Sequence, residues 1–79
     1  MNLIYKFIHF EKAALSVARH TEIWNCINTK SGFLLGQISY YPNWRKYIFS
    51  PGPGPSIFDS ECLLDIADFI KNMNEGKKK

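Results

Sequence analysis

Between residues 22 and 49, β-branched and aromatic residues gather in short runs separated by turn formers. From residue 60 onward the apolar positions switch to a spacing of three and four. The first pattern predicts strands and the second an amphipathic helix. Strands are expected over residues 22–28, 33–41 and 44–49. The loop Asn28-Thr29-Lys30-Ser31-Gly32 offers Gly32 for a positive φ, and Pro42-Asn43 closes a second hairpin with Pro42 at the first turn position. Residues 3–10, rich in Ile, Tyr and Phe, predict a further strand. Neither of its alternating sets is polar, so it is expected to be central or covered on both sides. Residues 11–20 are a connection that reads as two helical turns or as a continuing strand. Pro51-Gly52-Pro53-Gly54-Pro55 excludes helix and ladder and predicts an extended connector.

The helix is expected over residues 60–73, with Asp59 or Ser60 as its N-cap and Glu61 near the positive end of the dipole. Leu63, Ile66, Ala67, Ile70 and Met73 form its apolar stripe, with Phe69 beside it. Pairing Tyr41 with Trp44 and Asn28 with Phe33 assigns the two faces of the sheet. One face carries Leu34, Gly36, Ile38, Tyr40, Tyr47 and Phe49, together with Ile23, Asn25 and Ile27. Arg45 is its only charge, and it is the expected seat of the helix. The other face carries Trp24, Cys26, Leu35, Gln37, Ser39, Tyr41, Trp44, Lys46 and Ile48. A one-residue slip, or a bulge at Gly32, would reverse part of this assignment.

Seventy-nine residues, 46% hydrophobic and 15% aromatic, make one folded domain with no room for a second core. Residues 1–76 are expected to form that domain, and Lys77-Lys78-Lys79 a tail. The net charge of +3 is unevenly spread. Residues 1–55 hold six cations against two anions, and residues 56–76 hold five anions against Lys71, so the lysine tail accounts for the whole excess. That distribution is weak support for nucleic acid and fits a solubilising end. Cys26 and Cys62 are too few for a disulfide framework and predict reduced thiols in a cytoplasmic protein. No run approaches a membrane span, and Glu11 and Lys12 interrupt the N-terminal apolar run that a secretory leader would need.

Catalytic chemistry is poorly signalled. His9, His20, Cys26 and Cys62 lack the short spacing of a zinc site, and Cys26 has no nucleophile context. No cofactor or small-molecule substrate is implied. Asp59, Glu61, Asp65 and Asp68 read as a solvated helix face. Trp44-Arg45-Lys46-Tyr47 places cations among aromatics, as single-strand platforms do, although Trp44 and Tyr47 read more readily as core residues flanked by ordinary surface charge.

The run Leu35-Gly36-Gln37-Ile38-Ser39-Tyr40-Tyr41 is followed by Trp44-Arg45, Tyr47, Phe49 and Pro51, then Ile57-Phe58, Cys62-Leu63, Asp65-Ile66 and Phe69-Ile70. Over residues 21–74 this resembles a family of short bacterial and phage or mobile-element proteins with no assigned activity. The resemblance implies a compact three- or four-stranded sheet with a C-terminal helix, and carries over no functional residues. The Pro-Gly-Pro-Gly-Pro connector is more proline-rich than that family's.

The expected fold is α+β, a three- to four-stranded antiparallel meander with the C-terminal helix packed on one face. The expected function is a non-enzymatic interaction module binding a protein partner or a second copy through Trp24, Gln37, Tyr41, Trp44 and Lys46. The alternative is a nucleic-acid module using the same face and the basic tail.

Overall fold

The computed structural model describes residues 2–16, 21–52 and 57–77. Four strands, β1 (Ile8–Ser16), β2 (Thr21–Asn28), β3 (Leu34–Tyr41) and β4 (Lys46–Pro51), form one antiparallel sheet in the order β1-β2-β3-β4. A single helix, α1 (Ser60–Lys77), packs on one face, giving the expected α+β meander. Asp59 starts the helix: its Oδ1 accepts from the Cys62 N–H at 2.9 Å and its carbonyl from the Leu63 N–H. The helix runs past Met73 to Lys77, so the first lysine of the expected tail is helical. Lys78 and Lys79 lie outside the described residues.

The helix is turned relative to the expected stripe. Ile66, Phe69 and Met73 are buried, Cys62 and Ile70 pack beside them, and Leu63 and Ala67 are exposed. Phe69, fully buried, decides this rotation. Its ring stacks on Phe10 at 3.9 Å and meets Trp24 edge-on at 5.5 Å. Placing a phenyl ring at the centre of the seat removes far more apolar surface from water than placing Ala67 there.

The expected faces of β2 are reversed. The Asn28 N–H does donate to the Phe33 carbonyl, as the hairpin requires. Beyond it, Ile27 pairs with Leu34 but Cys26 pairs with Gly36, leaving Leu35 as an extra residue. This bulge lies three residues past Gly32. It brings Trp24 opposite Ile38 on the helix side, and Asn25 opposite Gln37 on the outer side. The exchange buries an indole and removes a carboxamide from the core, where it would need a partner. Gly36 is required at the inner position: a Cβ there would lie 2.5 Å from the Phe49 ring and 2.5 Å from the Ser50 carbonyl.

The β3–β4 register is also shifted. Tyr41 pairs with Lys46 instead of Trp44, and the loop contains Pro42, Asn43, Trp44 and Arg45. Two-residue hairpin turns need a positive φ at their first central position, which proline cannot adopt. The longer loop is closed by Trp44 N–H to Tyr41 O and Arg45 N–H to Pro42 O, with Arg45 at φ 55°. Because the shift is two residues, Ile38, Tyr40, Tyr47 and Phe49 keep their expected face. Trp44, however, leaves the strand for the turn, and Arg45 leaves the face assigned to it.

At the N-terminus, the expected strand over residues 3–10 is broken. Residues 3–7 fold back, with the Tyr5 N–H bonded to Ile8 O and the Phe10 N–H to Leu3 O, both at 2.8 Å. The connection from Glu11 continues as strand to Ser16, and residues 17–20 lie outside the described residues. β1 is therefore an edge strand, neither central nor covered on both sides, with the hook guarding the free edge of its first turn of ladder. The other edge is blunted differently. Asn74 Oδ1 accepts the outward Tyr47 N–H at 2.7 Å, and four residues on, Pro51 has no N–H to offer. Pro51, expected in the connector, thus ends β4; residues 53–56 of that connector lie outside the described residues.

Candidate interaction surface

The five residues expected to form one binding face separate into four and one. Trp24 is in the core, 8% exposed, its Nε1–H donating to Glu22 Oε1 at 2.8 Å and its ring against Phe69. The bulge at Leu35 puts it there, so it is withdrawn from the site. Gln37, Tyr41, Trp44 and Lys46 are all exposed. Gln37 and Tyr41 alternate along the outer side of β3, and Lys46 stands directly across from Tyr41 on β4. Gln37 Nε2 donates to Asn25 Oδ1 at 2.9 Å, tying β3 to β2 on that side. Trp44, 64% exposed, leans edge-on against the Tyr41 ring at 5.2 Å and 85°, and Asn43 Nδ2 reaches the Tyr41 hydroxyl at 3.4 Å.

The turn therefore presents a held, solvent-facing indole with Arg45 and Lys46 directly after it in the chain. No acidic residue occurs between Glu22 and Asp59 to oppose these cations. Among the described residues the ion pairs are elsewhere, His9 with Glu11 at 3.0 Å and Lys12 with Glu22 at 3.9 Å. Tyr47, the other aromatic of the Trp-Arg-Lys-Tyr run, is core. It is buried beside Tyr40, and its hydroxyl accepts from the Glu22 N–H at 3.3 Å.

A second exposed apolar group was not anticipated. Ile57 is 93% exposed, Leu64 69% and Leu63 51%, all at the start of α1. The adjacent Leu63-Leu64 pair carried the signal. Successive helical residues point about 100° apart, so two neighbouring leucines cannot both sit at the centre of the buried stripe. Phe33, Leu34 and Phe7 are likewise exposed, near the β2–β3 turn.

The thiols and the half-buried Tyr5 phenol are poised against ionisation. Burial pushes the Cys26 thiol up to about 12, with Cys62 nearby adding to the effect. Burial, then the adjacent Asp59, raises Cys62 as well, so both are protonated at neutral pH. Burial and the 2.8 Å bond to Asp68 hold the Tyr5 hydroxyl well above its ordinary value. Among the described residues no three of His, Cys, Asp and Glu converge as metal ligands. His9 is engaged by Thr29 and Glu11 through its two ring nitrogens, and His20 lies outside the described residues.

Surface hollows are found among the described residues. One of about 320 Å³ is lined by Lys6, Phe7, Asn28, Thr29 and Lys30, and one of about 460 Å³ by Ala67, Ile70, Lys71, Asn74 and Glu75. Neither adjoins the Tyr41–Trp44 pair. Among the described residues no helix is long and apolar enough to cross a membrane. In comparison with known proteins, no family model, curated protein or solved structure matches the chain.

Proposed function

We propose that this chain is a small non-enzymatic interaction module that engages a protein, either a distinct partner or a second copy, through the surface made by Gln37, Tyr41, Trp44 and Lys46. The observation that carries this reading is Trp44. A large side chain 64% exposed at a turn tip, yet braced by Tyr41, is the type of anchor that dominates protein interfaces. Its bracing matters energetically, because a partner that buries an already ordered ring loses less side-chain entropy on binding. Two free thiols support a reducing, cytoplasmic setting.

A photo-crosslinking residue placed at Asn43, beside the indole, tests the reading in native extract. Discrete adducts that disappear on Trp44→Ala are the expected result. An adduct pattern unchanged by that substitution would sink it. Binding of single-stranded nucleic acid is the second reading, favoured by Arg45 and Lys46 flanking a stackable indole. It requires the Trp44 indole N–H resonance to shift on adding short oligonucleotides and the shift to weaken steeply with salt. The loss of Trp24 to the core removes one of the three aromatic rings, Trp24, Tyr41 and Trp44, on which that alternative rested.

A further inference from the structure

Two of the exposed patches among the described residues complement each other, and one molecule cannot bring its own together. We propose that copies of the chain associate head to tail, the Trp44–Lys46 turn of one seating on the Ile57, Leu63 and Leu64 ridge of the next; this rests on the Trp44 surface being an interaction surface.

The ridge is apolar with an acidic border. Leu64 has Glu61 three positions before it and Asp68 four positions after it, both on neighbouring rows of the helix surface. Asp59 and Asp65 lie in the same two turns, and residues 56–76 hold five anions against one cation. The turn is the inverse, an exposed indole followed by two cations, in a stretch of chain without an acid. Docking one on the other buries leucine and isoleucine against tryptophan while pairing Arg45 and Lys46 with the acidic border.

Position excludes the alternatives within one molecule. The Tyr47 N–H bond to Asn74 fixes the C-terminal part of α1 at the turn end of β4, and the Phe58–Phe49 ring contact fixes the segment before α1 further along that strand. Ten helical residues separate Leu64 from Asn74, about 15 Å of rise. Symmetric contacts are disfavoured by charge: turn on turn sets Arg45 and Lys46 against themselves, and ridge on ridge does the same to Glu61 and Asp68. Turn must then meet ridge: made once per pair the contact is heterologous and propagates as an open chain or closes as a ring, whereas made reciprocally across a two-fold it would stop at a dimer.

Sedimentation velocity across a wide concentration range reads this directly. The expected mass average rises with concentration beyond that of a dimer and falls as salt is added. Arg45→Glu with Lys46→Glu destroys the turn, and Leu63→Ser with Leu64→Lys destroys the ridge; all four positions are exposed, so both variants fold. Each alone is expected to be a monomer, and their equimolar mixture to form a species of twice the monomer mass that grows no further. A wild-type monomer at every concentration overturns the inference. So does a wild type that stops at a dimer at every concentration, which is the signature of a two-fold contact. A monomeric wild type that still gives Trp44-dependent adducts in extract would leave the proposed function standing while removing self-association.

Discussion

Phe69→Ala, set beside Leu63→Ala, tests how the helix is rotated on the sheet. Phe69 has no exposed surface and contacts both Phe10 and Trp24, while Leu63 is half exposed. Truncating a buried phenylalanine costs about 3–5 kcal/mol through lost transfer energy and the cavity left behind. A domain of this size has roughly 4–12 kcal/mol in total, so the variant approaches the limit of folding. Leu63, burying only half of its surface, contributes about 1 kcal/mol or less. With about 4–8 °C per kcal/mol for a chain of this length, Phe69→Ala lowers Tm by about 12 °C or more, and Leu63→Ala by less than about 8 °C. Thermal melts followed by far-ultraviolet circular dichroism supply both numbers. Phe69→Leu, which keeps most of the apolar volume but leaves a small void and loses the two ring contacts at about 0.5–1.5 kcal/mol each, is expected to fall between them and covers the case in which the alanine variant does not fold. Equal losses for Leu63→Ala and Phe69→Ala, or a greater loss for Leu63, would refute the rotation and restore a stripe centred on Leu63.

Other expectations follow from single sites. Gly36→Ala should destabilise strongly, because the added Cβ meets the Ser50 carbonyl, which is backbone and cannot swing aside; a urea midpoint equal to wild type would contradict the Gly36–Phe49 contact. With Ellman's reagent at neutral pH, Cys62 should react first and Cys26 only at the rate of unfolding, since Cys26 is fully buried with its thiol pushed up to about 12; two equally fast thiols would contradict the bulged register of β2. Hydrogen bonding from the Cys62 N–H holds the Asp59 carboxyl below its ordinary value. The stability it contributes is therefore present above the unfolded-state pKa and is lost as pH falls through the folded one. Asp59→Ala should accordingly be less stable than wild type near neutrality, with the difference closing in acid, as urea melts at several pH values would show.

Much of this architecture was legible in the residues themselves. The strand-then-helix order, the Asp59 cap, the loop at Asn28–Gly32 and the shared face of Ile38, Tyr40, Tyr47 and Phe49 all follow from local chemistry or from a period of two that survives an even shift in register. The chain's charge halves were equally visible. What only the tertiary structure decided is which face each large aromatic takes. One extra residue, Leu35, inverts every side chain of β2 beyond it, and nothing local announces it, because its advantage is collective: Phe10, Trp24 and Phe69 can meet only if β2 is turned over. The same holds for the site. Trp24 and Trp44 look alike in sequence, but the first is bound into the three-ring core and the second is expelled into a four-residue loop by a proline that cannot make a tighter one. Local propensity set the elements, whereas the competition among aromatic rings for a single helix-covered face determined which of them remained free to bind.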